Sequence, residues 1–259
     1  MAFHIQFPKP LHGWKVFFNE IAVIVLGVLI ALALEAGVEA LHWRHKVEMG
    51  QERLKDELLW NGAYMAEQVA VAPCIEAQLN QLEARLTASK GINDPATMIH
   101  SSGFITTVRM PSRPWPSQTW EALQQDGTSN HMSGDVQAML GRTYQKTMIL
   151  RDLNTKSEDR QGSLRLLGYP IELTADIKAD LLRDIWSQLQ RTQTSALNAG
   201  QTLALFRLIE FAPSFDEIER RRTILTPWQV GNLTSIEFCK NNNLPLADWK
   251  LEIAKYNPQ

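Results

Sequence analysis

Charge of one sign is what this chain most plainly lacks. Its 259 residues carry 26 Lys and Arg against 28 Asp and Glu, a formal net charge of -2. A nucleic-acid binder shows a basic stripe. The longest basic run, Arg220-Arg221-Arg222, follows Asp216, Glu217 and Glu219 and reads as the last turn of a short helix, where cations suit the dipole. No nucleic-acid partner is expected. Recognisable chemistry is missing too. There is no G-x-S-x-G, H-E-x-x-H, P-loop or G-x-G-x-x-G, and no C-x-x-C pair for zinc or redox work. Glu39-Ala-Leu-His42, with His45 beyond it, is a single Glu-x-x-His, whereas a carboxylate-bridged metal pair needs two and further glutamates. Gly127-Thr128-Ser129-Asn130-His131 sets nucleophile and base types side by side, but adjacency does not build a triad, and it reads as a turn. The sequence calls for no cofactor, no metal and no enzyme. Internal repeats, low-complexity tracts and alternating strands are also lacking.

What is present is one long apolar run. Ile21 to Leu34 carry no polar side chain, with Glu20 before and Glu35 after. Fourteen residues of helix cover about 21 Å, short of the roughly 30 Å hydrocarbon core. Val16, Phe17 and Phe18 lengthen the stretch upstream. Trp14 and Trp43 stand 29 residues apart, about 43 Å along a helix, which matches a bilayer with its headgroups. Tryptophans at both interfaces form an aromatic belt. A signal peptide competes, with Lys9 and Lys15 leading and Ala31-Leu32-Ala33 as a small-x-small site, although that site falls inside the run. A buried core helix is the third reading and requires apolar partners on nearly every side. The span is preferred, giving an arm over 1–13, a transmembrane helix with interfacial flanks over 14–43, and a helical domain over 44–259. At about 100° per residue, Glu20, Ile24, Gly27, Ala31 and Glu35 share one sector. Gly27 and Ala31 form a small-x-x-x-small pair that admits a second helix. This face is the candidate helix–helix interface, toward another membrane protein or a second copy; both glutamates reaching the headgroups is the plainer alternative.

The rest of the chain reads as helical. The span continues into a charged helix on which Leu54, Leu58 and Met65 share a face and the charges lie elsewhere. Pro73 is expected to break or kink it. Ile75, Leu79, Leu82 and Leu86 recur at helical spacing. Residues 89–117 hold four prolines and two glycines without a period, and read as a long irregular loop pinned by Phe104, Ile105, Val108 and Trp115. Ser117, Ser133 and Thr174 are expected N-caps. Val136, Leu140, Tyr144 and Met148 form the stripe of one helix; Ile177, Leu181, Ile185 and Leu189 form that of another, which runs on past Gly200. Ser214-Phe-Asp-Glu217 is a capping box, and two short helical pieces follow. The expected fold class is all-α: one N-terminal transmembrane helix continuing into a helical bundle. The two cysteines, Cys74 and Cys239, are either one bridge in an exported chain or two unrelated buried thiols.

Glu20, Gly27, Val28, Ala31 and Leu32 match an E-x-x-x-I-x-x-G-V-x-x-A-L type of span. Thr119, Trp120, Leu123 and Gly127 match a T-[FW]-x-x-L-x-x-x-G helix start, and Tyr144 lies on the helix after it. Over roughly its first 150 residues the chain thereby resembles a group of bacterial membrane-anchored proteins classed as a domain of unknown function. The resemblance implies a single span with the bulk of the chain outside the cytoplasm, and no catalytic residues. The charge count points the other way: Lys9 and Lys15 precede the span, while Arg44, Lys46, Arg53 and Lys55 follow it. With the resemblance and the cysteine pair weighed together, the expected placement is a bacterial inner membrane, N-terminus cytoplasmic and C-terminal domain periplasmic. The expected partners are the lipid bilayer and a membrane protein or second copy met through the span. The expected function is an interaction or accessory subunit of a membrane or envelope assembly. The alternative is an extracytoplasmic ligand-binding sensor that signals through a partner.

Overall fold

The computed structural model describes residues 13–101, 104–226 and 233–256. The expected arm thus lies, but for Gly13, outside the described residues. The protein is all-α, 75% helical with two short strands. The helices are α1 (Trp14–Ala88), α2 (Gln118–Gln125), α3 (Gly134–Leu164), α4 (Ala175–Phe206), α5 (Phe215–Thr223), α6 (Ser235–Asn241) and α7 (Trp249–Ala254). Contacts divide the chain into two units, Met1–Met49 and Gly50–Gln259.

In the first unit α1 opens at Gly13, whose φ of 80° lies in the left-handed region that suits glycine, and the Phe17 amide donates to the Gly13 carbonyl. Every residue from 13 to 42 is exposed. In the second unit α1 is the axle of the bundle. Leu54, Leu58, Met65, Ile75 and Leu79 are fully buried, and from Asn61 to Cys74 all but Gln68 and Pro73 are buried. A helix buried on every side touches partners all round. A Cβ on Gly62 would meet Ile218 of α5 at 3.0 Å and Phe206 of α4 at 3.1 Å, so glycine lets both helices close on the axle. The Ala247 amide, just before α7, donates to the Ala70 carbonyl. Pro73 does not break α1, which continues to Ala88. A proline inside a helix costs about 3 kcal/mol or more, and the buried neighbours Val71, Cys74 and Ile75 supply packing that outweighs it.

Helices α3 and α4 form an antiparallel pair. Lys146 bonds to Asn198 and Gln201, Ser157 to Gln188, and Arg160 to Asp184, so residue numbers fall on one helix as they rise on the other. Ser133, Thr174 and Ser214 cap α3, α4 and α5 as the sequence indicates. The apolar stripes are truncated at their ends. Leu140 and Tyr144 are buried but Met148 is exposed, and Thr147 and Leu150 face inward in its place; on α4, Leu181 and Ile185 are buried while Ile177 is exposed.

The stretch 89–117 is less irregular than expected. Ile99–Ser101 (β1) and Phe104–Thr106 (β2) pair antiparallel with His100 opposite Ile105. A strap anchors it to the α3–α4 connection: Asn93 donates to the carbonyls of Leu167 and Tyr169, Thr107 donates to Leu164, and Ile92 bridges Glu172. Val108 and Trp115 are buried and Ile105 partly so.

Candidate functional site

The apolar half of α1 is the one helix among the described residues long and apolar enough to cross a membrane, and none of that stretch is buried. Aromatic groups gather at both of its ends. Trp14, Phe17 and Phe18 sit with ring centroids 5.9–6.0 Å apart. Trp43 donates to Glu39, stacks edge-on with His42, and lies under the Lys46 ammonium at 4.9 Å. Between them Glu20, Ile24, Gly27, Ala31 and Glu35 are all exposed, and a Cβ on Gly27 would meet nothing within 4 Å. The face is open along its length.

Cys74 and Cys239 come together. Both are fully buried, their sulfurs lie at disulfide distance, 2.08 Å, and their Cα atoms are 6.0 Å apart, within the range a bridge requires. The pair ties α6 to the axle.

Two carboxylates inside the bundle were not visible as sites in the sequence. Glu57, in the stretch whose charges are expected off the Leu54, Leu58 and Met65 face, is 7% exposed, and Glu67, two residues beyond Met65, is 0% exposed. Glu67 forms a fork with Arg113, at 2.7 Å to Nε and 3.0 Å to Nη2, and Arg113 also donates to the Thr226 carbonyl. The guanidinium lies 5.7 Å from the Tyr64 ring. Burial pushes the Tyr64 hydroxyl above its usual pKa, against the Arg113 charge, which lowers it. Four residues before Arg113, the Arg109 amide donates to Gln78 and its guanidinium to the Leu233 carbonyl, so the strap is stitched to the axle twice.

Glu57 explains the helix-start motif. It accepts from the Thr119 amide at 2.8 Å, from the Trp120 amide at 3.4 Å and from the Tyr144 hydroxyl at 2.6 Å. Trp120 and Tyr144 stack with centroids 5.7 Å apart. Ser117 stands at the N-cap of α2 as expected, but its hydroxyl bonds to Glu121 and caps nothing; Glu57 takes the first-turn amides instead. Leu123 packs on Gly50, where a Cβ would stand 3.0 Å from it, and Gly127 adopts φ 79°. Thr119, Trp120, Leu123 and Tyr144 are therefore the parts of one joint between α2, α3 and the axle, and Gly127 turns the chain after α2. Desolvation, with the Glu57 charge behind it, raises the Tyr144 pKa far above 10.

One small cavity lies under the strap, lined by Met110 and Trp115 from above and by Gln68, Ser157, Gln188 and Thr192 from the helices, with a volume of about 20 Å³. That is space for a water molecule. Trp115 Nε1 is buried without a protein acceptor among the described residues. Glu39, His42 and His45 belong to no cluster of three metal-ligating side chains, and no such cluster occurs among the described residues.

No family model, no curated protein and no solved structure matches the chain.

Proposed function

We propose that the protein is a single-pass, membrane-anchored interaction subunit of a bacterial inner-membrane or envelope assembly, with a non-catalytic helical domain in the periplasm. The observation that carries the reading is the wholly exposed apolar half of α1, bounded by aromatic clusters at Trp14 and Trp43 and open along the Glu20–Gly27–Ala31–Glu35 face. Thirty exposed, largely apolar residues are stable in lipid and against another helix, and unfavourable in water. The buried cysteine pair at disulfide distance favours an oxidising compartment for residues beyond the span. That argument opposes the Lys and Arg count, and the domain's two-point tie through α1 and α6 gives the bridge a structural purpose. The sensor alternative needs a pocket for a small molecule, typically of 300 Å³ or more, and the cavity under the strap has room for a water.

Labelling of the full-length protein in intact cells with a membrane-impermeant thiol reagent tests the placement. Because both sulfurs are buried, labelling follows brief denaturation on the outer face, with and without reduction. Modification that requires reduction and occurs in cells with an intact inner membrane is the expected result. Modification only after that membrane is broken, with no need for a reductant, would move the domain into the cytoplasm and discard the bridge.

A further inference from the structure

The span's open face carries charge as well as small residues, and the charge selects among occupants. With the midpoint of Trp14 and Trp43 at the bilayer centre, Glu20 lies about 13 Å from the centre and Glu35 about 10 Å on the other side, both within the roughly 15 Å half-thickness of hydrocarbon. The two stand about 60° apart around the helix, with Gly27 and Ala31 in the same sector. Carboxylates at such depth face a partner or water. The chain does not supply the partner itself. Among the described residues neither glutamate makes a hydrogen bond or ion pair, and the nearest cations point elsewhere. Lys15 lies about 140° around the helix from Glu20, and Arg44 lies about 180° from Glu35 and is engaged with Glu48 at 3.2 Å.

A second copy of this chain fits the small residues but not the charges. In a parallel pair closing on Gly27 and Ala31, Glu20 meets Glu20 and Glu35 meets Glu35. In an antiparallel pair the midpoint between the two glutamates falls beside Gly27, so Glu20 meets Glu35. Every such arrangement brings like charges together where the dielectric constant is low, and like-charge juxtaposition is a strong bar to association. We propose that the occupant of this face is a transmembrane helix of a different protein, carrying a Lys or Arg toward each end of its span, about 15 residues apart on one side. Gly27 and Ala31 let the two backbones approach, and the approach brings each cation to a glutamate while excluding lipid from both. The near-symmetric placement of the two acids accepts the basic helix in either direction.

This inference rests on the membrane-interaction reading, and its test separates the two. The full-length protein, donor-labelled, is placed in zwitterionic phosphatidylcholine vesicles with acceptor-labelled model transmembrane peptides. Their Leu/Ala span carries a small-residue face and two lysines 15 residues apart on that face, or two glutamines in the same positions. Energy transfer to the lysine peptide at no more than a tenth of the peptide density needed with the glutamine peptide is expected. The preference should vanish in the Glu20→Gln/Glu35→Gln protein, while self-association of that variant rises above that of the parent. Equal transfer to both peptides, or a lysine preference that survives the double substitution, would overturn the basic partner. Self-association of the parent as strong as its pairing with the lysine peptide would replace that partner with a second copy and leave membrane docking standing. Failure of the chain to enter the vesicles, or to associate with any helix, would remove the docking reading itself.

Discussion

Helix α1 is two helices in physical terms. From Trp14 to Met49 its apolar side chains are outside; from Gly50 to Ala88 its apolar side chains are inside, and so are Glu57, Asn61, Glu67 and Gln78. Ile24, Leu29 and Leu34 are more than half exposed, whereas the glutamate at 67 is fully enclosed. The backbone conformation is the same throughout. What differs is how each half satisfies its polar groups. A helix in lipid closes its backbone hydrogen bonds within itself and tolerates few charges. A helix at the centre of a bundle tolerates charges that neighbouring elements pair, and here the neighbours are Arg113 and the first turn of α2. Composition along one continuous helix thus reports its solvent, not its shape.

A charge placed at the middle of the first half should break the comparison most sharply. Leu29→Arg puts a cation near the centre of the apolar run, at an insertion cost of about 2.5–3.5 kcal/mol. The protein is expected to leave the carbonate-resistant membrane fraction to a large extent, while Leu41→Arg, near Trp43 and the interface, is expected to stay. Equal retention of both variants would show that this half does not cross hydrocarbon.

The signals that were legible in the sequence are those whose cause is local. Ser133, Thr174 and the Ser214–Glu217 box announce helix starts because cap and amide are three residues apart. Ile75, Leu79, Leu82 and Leu86 announce a buried face by their spacing, and all four are buried. The hairpin at Ile99–Thr106 was not legible, since three residues are too few to show alternation. Glu57 and Glu67 were not legible for a different reason. A glutamate on a helix looks solvated, whether beside Leu58 as Glu57 is or between Ala66 and Gln68 as Glu67 is, and the residues that bury these two stand 46 to 87 positions away. The helix-start motif was visible without its meaning, because the acceptor it serves, Glu57, lies outside it. On the apolar half of α1, spacing places Glu20, Ile24, Gly27, Ala31 and Glu35 in one sector, and all five are exposed.

Within the second half, Glu67→Ala is expected to have the largest effect. It leaves the Arg113 guanidinium, 10% exposed in its side chain, without its carboxylate inside the bundle. Removing one partner of a buried pair typically costs about 3–5 kcal/mol. Urea unfolding of the full-length protein in detergent should show a loss of that size. The Glu67→Ala/Arg113→Met protein should recover most of it, since an apolar replacement of both partners leaves no uncompensated charge. A single variant as stable as the parent would mean that the strap reaches water at Arg113, and the contrast between an open and a closed half of α1 would lose one of its two supports.

The smallest effect concerns Glu57. Tyr144→Phe keeps the ring stacked on Trp120 and removes one hydrogen bond to a carboxylate that retains the Thr119 and Trp120 amides. Hydrogen bonds to charged groups contribute about 1.5–3 kcal/mol, and the lower end is expected because Glu57 is left partly satisfied. The titration of Tyr144 supplies a second readout with a definite sign. Its folded pKa is raised above the ordinary value of 10.0 by burial and by Glu57, so its contribution is fully present below pH 10 and is lost as pH rises from there toward the folded value. The melting temperature of the parent should therefore fall more steeply above pH 10 than that of Tyr144→Phe, with the two curves parallel between pH 7 and 9. Parallel curves above pH 10 as well would mean that the hydroxyl ionises as readily folded as unfolded. The joint between α2 and the axle would then be a wet surface contact, and the enclosed half of α1 would begin further along the helix than Glu57.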